Sequence, residues 1–142
     1  LVVAGCDRDA ARFADRARAA GVADRVALLG GVNDVRPVYA AADCFILPTL
    51  YDPFPNAALE AFAMGVPVIV GRRCGAADLV RAGEDGWICE AHDAAGLAAL
   101  LVQAAASVRA ETMRGAARAG GTARGSPRSI ERARLSSRGR VV

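Results

Sequence analysis

A chain of 142 residues is one domain's worth, and 54% hydrophobic with 23% charged residues is a globular composition with apolar mass enough for a core. All 18 basic residues are arginine, and the net charge of +3 belongs to the end of the chain, where the arginines from Arg109 to Arg140 meet only Glu111 and Glu131. No apolar run approaches the ~20 residues of a bilayer-spanning helix, and Cys6, Cys44, Cys74 and Cys89 form no C-x-x-C pair, which argues for reduced thiols and against a zinc site.

The elements alternate in chain order. "LVVAG" (1–5) reads as a buried strand. "RDAARFADRARAAG" (8–21) reads as a helix with Phe13 and alanines on one face, stopped by Gly21. "RVALLG" (25–30) is a second strand, and "DVRPVYAAA" (34–42) a short helix with Pro37 in its first turn, where a missing N–H is harmless. "CFILP" (44–48), "PVIVG" (67–71) and "GWICE" (86–90) are three more strands. Between and after them come helices at "NAALEAFAMG" (56–65), "GAADLVRAG" (75–83) and 93–117. Strand then helix, five times over, predicts parallel strands with helical crossovers: an α/β, Rossmann-like open parallel sheet.

Beyond about Ala119 the pattern stops. Residues 119–142 are Arg, Gly and Ser with few apolar anchors, and read as a disordered tail separate from a domain over 1–118. An arginine-rich segment can meet phosphates, but no aromatic residue is interleaved to stack bases, so no nucleic-acid partner is expected. The chain opens in a strand-like run without methionine and reads as a piece of something longer.

Chemistry is expected in the stretch "YDPFPNAALEAFAMGVPVIV" (51–70). In an open α/β sheet, ligands bind beyond the carboxyl ends of the strands, and the loop after "CFILP" leads straight into a helix. Asn56 is the expected N-cap, with Ala57, Ala58 and Leu59 in a first turn whose N–H groups and positive dipole end suit an anion. Asp52 lies in the loop and Glu60 one turn inside the helix, with seven residues between them. Carboxylates on either side of a phosphate can hold hydroxyl pairs, which describes a nucleotide sugar. The spacing alone fits equally a turn-starting aspartate and a surface glutamate.

The residues "LLGGV", "YAAADCFILPTLYDPFPNAALEAFAMGVPVIV", "CGAADLV" and "GWIC" together resemble the C-terminal, donor-binding domain of retaining glycosyltransferases of the GT-B fold, the group 1 class, over roughly residues 1 to 118. That resemblance implies that Asp52 holds donor-sugar hydroxyls and Glu60 the ribose. It assigns the phosphates to the backbone of Phe54, Pro55, Asn56 and Ala57, and the base to Val32 and Asn33. Two positions depart from the family pattern. Asp52 stands for the usual glutamate, one methylene shorter, and Pro55 for the usual glycine, without an N–H; both bear on the sugar more than on the ribose. "GGVND" lacks the spacing of a dinucleotide fingerprint.

The resemblance further implies a UDP- or GDP-linked donor, no cofactor and no metal. It implies a glycan or lipid-linked acceptor held by an N-terminal domain outside this chain, a cytoplasmic place with peripheral contact at the inner face of the membrane, and a role in lipopolysaccharide, capsule or exopolysaccharide synthesis. "LVVAG" matches the family's second strand, so a first strand and helix are expected to be absent between it and "CFILP". The segment alone is then expected to be inactive in transfer. The competing class is a non-catalytic nucleotide-sugar-binding module, or a remnant without function. His92 reads as a surface loop residue, Trp87 as core, and Arg72 and Arg73 as facing either phosphate or solvent.

Overall fold

The computed structural model describes residues 1–109, so the tail expected from residue 119 lies outside the described residues. Five short parallel strands alternate with helices, as the sequence pattern requires, and the strands form two sheets. The chain divides into two compact units, Leu1–Pro37 and from Val38 on.

In the first unit, β1 (Val2–Ala4) pairs in parallel with β2 (Ala27–Gly30), and α1 (Ala10–Ala19) crosses between them. The α1 helix ends in a Schellman arrangement. Gly21 takes φ 67°, its N–H donates to the Arg18 carbonyl and the Val22 N–H reaches back to Ala17, both at 3.0 Å. The expectation of a buried first strand is corrected here: Val2 is 54% and Val3 44% exposed. Phe13, expected on the apolar face of α1, is 46% exposed, while Ala14 and Ala17 are the half-buried positions. Two strands and one ten-residue helix are too little material to cover both faces of a sheet.

The second unit holds the core. Its sheet runs β3–β4–β5, from β3 (Phe45–Leu47) through the central β4 (Val68–Gly71) to β5 (Gly86–Cys89). The register sets Ile46 beside Ile69, and Ile69 beside Trp87. All four residues of β4 are buried, which is what an unbroken apolar run covered on both faces should show. On one side α3 (Asn56–Ala63) buries Ala58, Ala61 and Phe62. On the other, α4 (Ala94–Arg109) brings Ala104, Leu97 and Leu100 against Ile69, Trp87 and Cys89. Trp87 is core, as expected.

Two connections lead into these strands. The stretch expected to be helical at 75–83 forms only a 3-10 turn over Gly75–Leu79. The chain then bends around Asp85, a wholly buried carboxylate that accepts the Arg81 backbone N–H at 2.8 Å and its guanidinium Nε at 2.9 Å. Those bonds divert residues 81–85 from helix into the turn that starts β5. Preceding β3 is α2 (Arg36–Ala41), with Pro37 in its first turn and Tyr39 as its buried residue.

Candidate functional site

The loop from Pro48 to Pro55 joins β3 to α3 at the carboxyl end of the sheet. It is stiff for two reasons. Prolines at 48, 53 and 55 fix φ, and its backbone is stitched to the neighbouring turn after β4. The Gly75 N–H donates to the Asp52 carbonyl at 2.8 Å, the Asp52 N–H points to the Arg73 carbonyl at 3.4 Å, and Asp52 and Cys74 form a parallel bridge. The approach is so close that only glycine fits opposite. A Cβ on Gly71 would lie 2.2 Å from the Thr49 carbonyl oxygen, and one on Gly75 would lie 2.2 Å from that of Pro53.

Asp52 is thereby held in place by its backbone, and its side chain is half engaged. Oδ1 accepts the Phe54 N–H at 3.0 Å, an Asx turn, and Oδ2 has no hydrogen-bond partner among the described residues. The first consequence concerns the backbone groups expected to face phosphate. The Phe54 N–H is turned to Asp52 and Pro55 has none, which leaves Asn56 and Ala57.

The helix begins differently from the sequence expectation. Asn56 is the first helical residue and exposed, and the N-cap is Pro55, with φ −76° and ψ 90° and no side-chain cap. The Pro55 carbonyl accepts the N–H groups of Ala58 at 3.1 Å and Leu59 at 3.2 Å. Asn56 and Ala57 therefore present N–H groups that donate to nothing among the described residues, at the positive end of the helix. By contrast, Asp93 caps α4, its Oδ1 accepting the Gly96 N–H at 2.8 Å. The mouth of α3 is left open, flanked by small side chains.

Glu60 is the fifth residue of α3 and exposed, yet it is fixed from beneath. The Tyr39 hydroxyl donates to Glu60 Oε2 at 3.0 Å and lies 3.1 Å from the Ala57 carbonyl oxygen. Tyr39 is 5% exposed and packs edge-on against Phe45, with ring centroids 5.9 Å apart. Burial first, then the hydrogen bond and charge of Glu60, push its hydroxyl up to about 12, so it stays a donor at neutral pH. Asp52, Phe54, Pro55, Asn56, Ala57 and Glu60 thus lie on one continuous loop and helix of the second unit. Val32 and Asn33, expected at the base, are exposed in the loop after β2 of the first unit.

The remaining candidates separate clearly. Arg72 is paired with Glu90, and Arg73 and His92 are exposed. Cys74 and Cys89 are buried, Cys44 half-buried and Cys6 exposed. Burial pushes the Cys44 thiol up to about 12, with the Asp43 charge adding to it. Sequence reasoning missed Tyr39, Gly71 and Gly75, which hold the two carboxylates in place. All three stood inside the quoted family stretches or next to them, but their spacing to Asp52 and Glu60 carries no local signal.

The chain has relatives among known proteins. Residues 1–107 match the family model described as glycosyl transferases group 1. The lipopolysaccharide core biosynthesis glycosyltransferase LpsE of Rhizobium meliloti is 37% identical over 83 residues, which are 58% of this chain and 24% of that protein. The sucrose-phosphate synthase of Thermosynechococcus elongatus superposes with a TM-score of 0.79 at 26% identity, covering 97% of this chain and 38% of that one. The Anabaena protein HepE, solved in complex with UDP-glucose, superposes with a TM-score of 0.77 at 21% identity, covering 97% of this chain and 39% of that one. The chain thus spans about a quarter to two fifths of the length of these proteins. The parallel α/β fold is the one on which the two solved structures superpose, and the family match covers residues of both units. The chain belongs to the group 1 glycosyltransferases.

Proposed function

We propose that this chain is the donor-binding part of a sugar transferase, which takes a UDP- or GDP-linked sugar and, in the whole protein, passes the sugar to a glycan or lipid-linked acceptor with retention of configuration. The observation that carries the reading is the open mouth of α3: two unclaimed N–H groups, Asn56 and Ala57, between a loop carboxylate and a helix carboxylate. The superposition on a protein solved with UDP-glucose supports it, as does the lipopolysaccharide core role named for LpsE.

In this reading the diphosphate sits on the two N–H groups and the helix dipole, which stabilise the charge that grows as the nucleotide leaves. Glu60 accepts from ribose hydroxyls. Asp52 accepts from donor-sugar hydroxyls through Oδ2, the oxygen its own loop does not use. Catalysis is then positioning and leaving-group stabilisation, with the acceptor attacking the face from which the nucleotide departs. The amides supply the charge complement, and no metal is required.

The two carboxylates are told apart by calorimetry with a bare nucleotide and its sugar conjugate. Glu60→Ala should weaken both ligands by about 1.5–3 kcal/mol, the worth of a charge-assisted hydrogen bond. Asp52→Ala should spare the nucleotide and weaken only the nucleotide sugar. Equal losses on both ligands for both variants would contradict the assignment.

A further inference from the structure

Glu60 is an exposed glutamate on a short helix, and such a side chain ordinarily samples several rotamers. Here it does not stand free. The buried Tyr39 hydroxyl, 21 residues away in sequence, reaches Glu60 Oε2 at 3.0 Å. The nearby Ala57 carbonyl is the poorer acceptor: it is neutral and belongs to the hydrogen-bond ladder of α3, whereas the carboxylate is charged. The single phenolic proton therefore goes to Glu60. The ring cannot swing away, because it is buried and packed edge-on against Phe45 of the first strand of this unit's sheet.

We propose that Tyr39 is a positioning residue for nucleotide recognition: it ties down Oε2 of Glu60 so that Oε1 and the remaining lone pair of Oε2 face the ribose hydroxyls. This rests on the ribose reading of Glu60 given above. It adds that discrimination for ribose is set from α2, by a residue that touches no ligand itself.

The test compares UDP with UDP lacking one ribose hydroxyl (2′-deoxy or 3′-deoxy), or the GDP series if GDP binds more tightly, using the 142-residue chain. The readout is the ratio of the two Kd values within each variant. A partly unfolded fraction weakens both ligands equally and cancels from that ratio. Tyr39→Phe should shrink the preference for ribose on the order of 3- to 10-fold, the worth of one hydrogen bond. Glu60→Ala should abolish the preference, and adding Tyr39→Phe to it should change nothing further.

A ratio kept by Tyr39→Phe but lost in Glu60→Ala would overturn the positioning role and leave the ribose reading standing. A ratio kept by Glu60→Ala, or no saturable binding of either nucleotide, would remove the ribose reading and the positioning role with it. A lower thermal midpoint for Tyr39→Phe with an unchanged ratio would make Tyr39 a packing residue only, and also counts against the proposal.

Discussion

The Tyr39 hydroxyl holds Glu60 from beneath, and its titration reports first its burial and then that contact. An unfolded tyrosine loses its proton near pH ~10, while in the fold the Tyr39 hydroxyl is pushed up to about 12. Between those values the unfolded chain gives up a proton that the folded chain keeps. The contribution is therefore full below pH ~10 and is lost as pH rises through about 12. Denaturant midpoints measured upward from pH ~8 should fall more steeply in the native chain than in Tyr39→Phe. Parallel curves would deny the shift. A second test at this scale is Gly75→Ala. Its Cβ would sit 2.2 Å from the Pro53 carbonyl oxygen, so the Asp52 loop must move. A cost of about 1–3 kcal/mol is expected from such overpacking, together with weaker nucleotide-sugar binding. An unchanged melting midpoint would show that the loop is not clamped. The cysteines give a simple check on burial: Cys6 should be alkylated quickly by a maleimide, and Cys74 and Cys89 only on unfolding.

At the scale of elements, the alternation of apolar runs with amphipathic stretches made the strands and most helices legible within a residue or two. Gly65 illustrates why: it stops α3 at φ 71°, with its N–H on the Phe62 carbonyl and that of Val66 on Ala61, both at 2.9 Å. Such a stop signal is local and readable. The start of the same helix was misread by one residue, because asparagine is a good cap by type while Pro55 supplies the capping carbonyl here. The 75–83 helix is cut short by a side chain just beyond it: buried Asp85, four residues on, claims the Arg81 N–H and guanidinium. Removing that carboxylate should therefore loosen the turn before β5. Asp85→Ala is expected to lose about 1.5–3 kcal/mol, in line with hydrogen bonds to a charged group, and a loss within error of zero by denaturation would contradict this. In the site itself, the spacing of Asp52 and Glu60 around a helix start fits a turn aspartate and a surface glutamate equally well, and it is the family resemblance of the surrounding stretch that singles them out. The clamp of Gly71 and Gly75 and the phenol beneath Glu60 could not be chosen from spacing, since both depend on segments brought together only by the sheet.

At the scale of the whole molecule, the two units differ in how much they bury. The second encloses Ile69, Trp87 and Phe62, whereas the first leaves Val2, Val3 and Phe13 exposed. Among the described residues its β1 is hydrogen-bonded on one side only, to β2. An open edge beside exposed valines recruits further chains, so the 142-residue chain should self-associate at micromolar concentration, and Val3→Lys should reduce it. A monomer sedimentation coefficient that does not vary with concentration would refute this. Binding of a nucleotide-sugar diphosphate at the mouth of α3 can be followed on the backbone amides in ¹H–¹⁵N spectra during titration with UDP-glucose and GDP-mannose. Saturable downfield movement of the Asn56 and Ala57 amides is expected, shared by the bare nucleotide, with the Phe54 amide, bonded to Asp52, moving less. Saturable binding that leaves Asn56 and Ala57 unmoved would contradict it.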